Sequence, residues 1–287
     1  MYVVTGASGN TGKIVAKRLL AAGKKVRAVV RHPDKARNLA DAGAELVQAD
    51  LSDRAAFEKA LVGAKGLYLL SPPDMGAKDF LTERAALLKS VVDAVKAAGV
   101  PHVVFLSSLG ANRPSGTGII LSVHEGERLL RESGVPTTML RAAYFVENWG
   151  AVIPAAKSDG VLPSFIAASQ SLPMVCTTDI GETAAELLLE GARAPRVVEL
   201  SGPSDASPND VAQTLSKILG KPVNVVEPPL DAVVPTFTSF GISTNIAGLF
   251  RDMYQGIKDG SVVLEGAPAE ARRGKTSLET SLRALVG

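Results

Sequence analysis

Short apolar runs alternate with longer stretches whose apolar positions recur every three or four residues, and this rhythm fills the first 140 residues. Val3-Val4-Thr5 stops at Gly6, and the spacing of Ile14, Val15, Leu19 and Leu20 predicts a helix closed by Gly23. Residues 25–30 read as a second strand, and His32-Pro33-Asp34 turns the chain into a helix through Asp41, closed by Gly43. Residues 45–49 make a third strand, and Ser52 or Asp53 is placed to cap the helix that runs to Leu61. Residues 66–70 form a fourth strand, broken by Ser71-Pro72-Pro73. A long helix follows over about 78–98, with Leu87, Leu88, Val91, Val92 and Val95 on one side. Residues 102–106 are a fifth strand ending in Ser107-Ser108, residues 110–118 a flexible loop, 121–132 a helix, and 136–140 a sixth strand. Such alternation predicts an α/β, doubly wound parallel sheet covered on both faces, with strand order 3-2-1-4-5-6.

Beyond Arg141 the rhythm loosens. A helix is expected over about 178–191, a strand over 196–200, and a helix to Leu219 opened by Ser207 with Pro208 in its first position. Residues 222–226 are strand-like and 244–257 helical. Residues 1–150 are therefore expected to form the sheet domain. Residues 151–287 should form a smaller C-terminal α/β lobe that crosses back to the sheet once, over about 176–201.

With 287 residues and 46% hydrophobic content, the chain can bury about three-quarters of its unfolded surface. The net charge of +2, with no basic run and no aromatic–basic stripe, gives no support for nucleic acid or a membrane surface as partner. Cys176 is the sole cysteine, and His32, His102 and His124 lie in separate segments, so no metal site is expected. No apolar run approaches the roughly 18 residues of a membrane span. Together with a first strand beginning at residue 2, this predicts a soluble, cytoplasmic protein. The oligomeric state is not legible, and a homodimer is left open.

The chemistry is expected beyond the C-terminal ends of the strands, where open α/β sheets bind ligands. Gly6, Gly9 and Gly12 stand between a strand and a helix start. Gly6 permits the tight exit, Gly9 a close approach of phosphate oxygens, and Gly12 the packing of helix on sheet. The free N–H groups of the first helical turn would face the anion of a dinucleotide. No acid lies between residues 24 and 33, where an NAD enzyme carries one for the ribose; Arg31, with Lys35 a turn later, suits the 2′-phosphate of NADP instead. Asp50 can accept from the adenine amino group or cap the following helix. Ser71-Pro72-Pro73 is a rigid strand exit near the inner ribose or a plain terminator. Ser107 and Ser108 can meet the nicotinamide amide or a substrate carbonyl, or simply end a strand. Tyr144 and Phe145, with Asn148, offer a wall for a nicotinamide ring and a flat substrate, or packing between lobes, which is the reading for Trp149. The Tyr-x-x-x-Lys pair of short-chain dehydrogenases is missing: no Tyr lies between Tyr68 and Tyr144, and no Lys between Lys96 and Lys157. His124, on the helix after the fifth strand, is the remaining general-acid candidate.

Thr5-Gly-Ala-Ser8-Gly-Asn10-Thr11-Gly12, Val30-Arg-His-Pro-Asp-Lys35, Gln48-Ala-Asp-Leu51 and Leu140-Arg-Ala-Ala-Tyr-Phe-Val-Glu-Asn148 resemble the NmrA-like family of atypical short-chain dehydrogenase/reductases. Within that family, the likeness is to NADPH-dependent quinone reductases of the bacterial type-2 kind. The resemblance implies a Rossmann-type sheet with NADP(H) held by residues 6–12, Arg31 and Lys35, with Asp50, Leu51, Ser71, Pro72 and Ser107 alongside. It places the nicotinamide near residues 144–148, where Tyr144 and Phe145 line it and Tyr144, Asn148 and His124 are the catalytic candidates. Family members divide between reductases of quinones or other small carbonyls and redox sensors that act through protein partners. A quinone tolerates the missing pair, because hydride addition yields a stabilised hydroquinone anion that water can protonate. A sensor needs only different affinities for the two cofactor states, coupled to a protein surface.

Overall fold

The computed structural model describes residues 1–70, 72–193 and 196–287. Eight parallel strands make the central sheet. In chain order they begin with β1 (Tyr2–Thr5), followed by α1 (Asn10–Ala21), β2 (Val26–Val30), α2 (Arg37–Asp41), β3 (Glu45–Gln48), α3 (Arg54–Leu61), β4 (Gly66–Leu69) and α4 (Phe80–Ala97). Next come β5 (Val103–Ser108), α5 (Leu121–Ser133) and β6 (Thr137–Ala142), after which the chain leaves the sheet as β7 (Tyr144–Phe145). The order across the sheet is β3-β2-β1-β4-β5-β6, as the alternation predicted, with two further strands beyond β6. The crossover lies between β1 and β4, where Tyr2 pairs with Val26 on one side and Gly66 on the other.

Neighbouring residues of one strand feed opposite faces, so the strands read as continuous apolar runs. Val4, Val104, Leu106, Leu140 and Leu200 pack with Val15, Leu19, Ile180 and Leu187 on one face. Val3, Val103, Phe105 and Met139 pack with Phe57, Leu88, Val91, Val95 and Leu130 on the other. Asp53 is the residue that caps α3, accepting from the Ala56 N–H at 3.0 Å.

The remaining elements are α6 (Ile153–Asp159), β8 (Val161–Pro163), β9 (Leu172–Val175), α7 (Thr177–Glu190), β10 (Arg196–Ser201), β11 (Asp205–Ala206) and α8 (Pro208–Leu219). After them come β12 (Asn224–Val226), α9 (Val233–Ser239), α10 (Thr244–Lys258), β13 (Glu270–Arg273) and α11 (Leu278–Val286). Ser207 opens α8 as expected, exchanging hydrogen bonds with Asp210. Val146, Trp149, Ile153, Leu162, Met174, Val211 and Leu215 form a separate core here, joined by the small sheets β11-β9-β7 and β12-β8.

Two expectations change. The chain returns to the main sheet twice, because β13 pairs in parallel with β10, Val198 opposite Glu270. That edge strand, Glu-Ala-Arg-Arg, is almost wholly exposed, so no alternation of hydrophobic positions betrays it. Residues 110–118, read as a flexible loop, are docked on α10, with Gly118 in backbone contact with it. No helix among the described residues is long and apolar enough to cross a membrane.

Candidate functional site

At the C-terminal ends of β1, β2 and β3 lies a cleft of about 710 Å³. Gly6 turns the chain out of β1 with φ +59°, a conformation that favours glycine, and its carbonyl accepts the Gly9 N–H at 2.9 Å. A Cβ on Gly12 would stand 2.4 Å from that same carbonyl oxygen, so α1 begins in direct contact with the strand exit. A Cβ on Gly9 would meet only the Gly6 oxygen, at 3.2 Å. No side chain caps α1 and no acid stands in its first turn, so its first N–H groups remain as anion donors. Beneath the turn, Thr5 Oγ1 accepts the Leu70 N–H at 2.8 Å, and the buried Tyr68 hydroxyl donates to Thr11 Oγ1 at 2.9 Å. Burial pushes the Tyr68 phenol up, which keeps that donor protonated.

Gly6, Ser8, Gly9, Arg31, Lys35, Asp50, Leu51 and Pro72 line this one cleft. Asn10, Thr11 and Gly12 continue the turn into α1, but the Thr11 hydroxyl faces Tyr68, leaving its backbone toward the turn. Arg31 and Lys35 are exposed and make no ion pair among the described residues. Asp50 does not cap α3; its Oδ1 accepts from the Ser52 N–H at 2.8 Å and the Ser52 hydroxyl at 2.7 Å. Those two donors, with the Arg31 charge, hold its carboxyl below the usual carboxylate range. Ser71 lies outside the described residues. Sequence reasoning missed the far wall, where α4 contributes Phe80, Glu83, Arg84 and Leu87. Their spacing is helical, and the signal was visible, but a buried arginine was not expected. Arg84 is 7% exposed, with its guanidinium 5.6 Å from the Phe80 ring centre, and burial pulls its pKa down while Asp74 opposes that.

The residues expected at the nicotinamide end do not line this cleft. Ser107 is buried, its hydroxyl donated to Glu127 Oε1 at 2.6 Å. Glu127 is fully buried and is gripped by Arg141 through bonds of 2.8 and 2.7 Å. Burial alone would raise the Glu127 pKa; Arg141, Ser107 and Arg131 outweigh it and hold the carboxylate ionised. His124 gives its Nδ1 side to the Ala111 carbonyl at 2.8 Å, since a carbonyl can only accept. Phe145 packs on the sheet core and Trp149 on the second core, 6.1 Å from the Tyr144 ring. The Tyr144 hydroxyl is in hydrogen-bonding contact with the Asn148 amide, which donates to it, and with the Tyr254 hydroxyl. Tyr254 belongs to an aromatic cluster with Phe165, Phe237 and Phe250 that sequence reasoning did not single out. Its members come from three elements, and no spacing along the chain connects them.

The NmrA-like family model matches residues 2–267. The chain belongs to the NmrA-like family. A relative in Escherichia coli (strain K12), quinone oxidoreductase 2, is 32% identical over 266 residues, covering 91% of this chain and 90% of the relative. The NAD(P)H azoreductase of Xenophilus azovorans is 26% identical over 254 residues, covering 88% and 86%. Among solved structures, the NADPH complex of the Escherichia coli NADPH-dependent quinone oxidoreductase superposes with a TM-score of 0.84 at 29% identity, over 100% of both chains. The Citrobacter sp. triphenylmethane reductase complexed with NADP(H) shares the fold, with a TM-score of 0.80 at 24% identity over 99% of both chains. This family member thus keeps the glycine turn and its cleft, and carries a tyrosine pair in place of the short-chain Tyr-x-x-x-Lys arrangement.

Proposed function

We propose that the chain is an NADPH-dependent reductase that transfers hydride to a quinone or a similar small conjugated carbonyl. The observation that carries the reading is the uncapped start of α1, opening on a cleft whose β2 side presents two unpaired cations, Arg31 and Lys35. The residues fit a dinucleotide phosphate: Gly12 cannot bear a Cβ, Gly9 leaves the approach open, and the first-turn N–H groups lack side-chain acceptors. Residues 6–12 would hold the pyrophosphate, Arg31 and Lys35 the 2′-phosphate, and the cleft between Asp50 and α4 the adenosine. When bound, the nicotinamide supplies the hydride.

Residues 1–150 carry the cofactor, and residues 151–287 wall the acceptor with the aromatic cluster. Tyr144 and Asn148 meet the acceptor; His124, tied to Ala111, and Ser107, tied to Glu127, take structural roles. The relatives named for quinone and azo substrates support a flat, conjugated acceptor. The test is steady-state NADPH oxidation against a panel of quinones, beside NADPH binding by fluorescence titration. Turnover with at least one quinone is expected. Tight NADPH binding with no quinone reduced would instead make the protein a redox sensor working through a partner.

A further inference from the structure

The exit from β6 places the Tyr144 hydroxyl beside two donors, the Asn148 amide on its own segment and the Tyr254 hydroxyl on α10. Tyr254 is held on both sides of its ring, 5.5 Å from the Phe165 centre and 6.3 Å from that of Phe237. Its helix is held as firmly. A Cβ on Gly118 would lie 2.0 Å from the Leu249 carbonyl oxygen, and one on Gly256 would lie 2.3 Å from the Gly116 oxygen. Helix and loop therefore meet backbone to backbone. At its N-terminal end, the Ser243 N–H donates to the Met75 carbonyl at 2.9 Å, and Asn245 Oδ1 accepts the Phe80 N–H at 3.0 Å. Tyr254 is thus a fixed group, set against Tyr144 by contacts that do not involve either hydroxyl.

A phenol that gives up a proton inside a protein needs something to steady the phenolate. Short-chain dehydrogenases use a lysine, and this chain has none between Lys96 and Lys157. Two neutral donors aimed at the same oxygen serve that purpose. We propose that Tyr144 and Tyr254 form the proton-delivery pair of the acceptor site, with Tyr144 touching the acceptor and Tyr254 acting through it as a positioning residue. The inference rests on the reductase reading above. Hydride brings the acceptor two electrons and leaves a negative oxygen. The Tyr144 O–H bond then breaks and an O–H bond forms on that oxygen. The Tyr144 phenolate, held by Asn148 and Tyr254, takes the Tyr254 proton, and Tyr254 takes one from water. One hydride and one proton are consumed per acceptor. A hydroquinone anion is itself a phenolate, so donor and acceptor are matched near the ordinary phenol pKa of about 10. Burial pushes both tyrosines up, which keeps the pair loaded with protons at neutral pH.

Tyr254→Phe keeps the ring and removes the hydroxyl. With a quinone, kcat should fall about ten- to a hundred-fold with little change in KM, and the solvent deuterium isotope effect on kcat should rise. NADPH affinity, read by fluorescence titration, should not move. A cationic triarylmethane dye becomes neutral on hydride addition alone and needs no proton, so its reduction rate should survive the substitution. Asn148→Ala, at an exposed side chain, is the second variant and should show the same contrast. An unchanged quinone rate and isotope effect would overturn the pair, as would equal losses with quinone and dye, which would mean packing alone. A loss in Tyr144→Phe without one in Tyr254→Phe would refute the pair and leave the reductase reading standing. A wild-type protein that reduces no quinone would overturn both.

Discussion

Gly9 and Gly12 sit three residues apart in one turn, and their structural environments make opposite predictions for adding side chains. At Gly12 an alanine Cβ would lie 2.4 Å from Gly6 O, 2.7 Å from Gly6 C and 3.0 Å from Thr5 O, all backbone atoms. The closest contact is about 1 Å inside ordinary van der Waals distance, and backbone cannot swing aside as a flexible side chain can. Gly12→Ala should therefore cost about 1–3 kcal/mol of folding stability, a melting shift of several degrees. Gly9 has a single contact at 3.2 Å, so Gly9→Val should fold, and its side chain would stand where phosphate oxygens approach. Losing one hydrogen bond to a charged group there corresponds to about 1.5–3 kcal/mol, or roughly ten- to a hundred-fold in NADPH affinity. Thermal melting and NADPH fluorescence titration on both variants separate the two effects. A Gly9→Val protein that melts like wild type and binds NADPH equally well would refute this placement of the pyrophosphate. An unshifted melting point for Gly12→Ala would refute the contact argument.

Arg31→Ala should weaken NADPH binding by about ten- to a hundred-fold and spare NADH, because the guanidinium would serve only the 2′-phosphate; equal affinity of the unaltered protein for both cofactors would show that Arg31 merely faces solvent. Tyr144→Ala should lower quinone turnover far more than NADPH affinity, whereas His124→Ala, whose ring is already bonded to Ala111, should retain most of the rate. Glu127 supplies a pH prediction. Its folded pKa lies below the ordinary 4.5, so the carboxylate stabilises the fold above that value and loses its contribution as pH falls through the folded pKa. Glu127→Gln should flatten the fall in melting temperature below pH 4.5, and an unchanged slope would place acid unfolding elsewhere.

What the sequence revealed followed what each residue must do locally. Strands β1 to β6 are apolar on both faces, and glycines or prolines mark their exits, so order and handedness followed from alternation alone. The glycine turn was legible because its chemistry is carried by backbone, and backbone demands are written directly as glycine. β13 was invisible for the converse reason: an exposed edge strand of Glu, Ala, Arg and Arg owes its conformation to pairing with β10, not to any preference of its own. Asp50 and Asp53 show a finer limit. Both are aspartates beside a helix start, and only the folded turn decides that Asp53 caps while Asp50 braces Ser52.

The acceptor end was the least legible, because its groups converge from distant parts of the chain. Tyr144 could be picked out at the end of a strand, yet its hydroxyl is defined by Tyr254 on a helix of the second lobe. Ser107 looked available for the same kind of reason, as a hydroxyl at a strand end, until Glu127 and Arg141 closed around it. A strand end fixes where a side chain begins; the partner that claims its polar atom is fixed by tertiary packing. Two hydroxyls with similar sequence credentials therefore diverge. Ser107 donates into a buried ion pair that must stay satisfied, since an orphaned carboxylate there would cost several kcal/mol. Tyr144 meets only neutral partners, an amide and a phenol, and neutral partners can exchange protons and reorient at far lower cost. Of the two, the tyrosine is the hydroxyl free to do chemistry, and its freedom is set by the glycine contacts that seat α10 against residues 116–118.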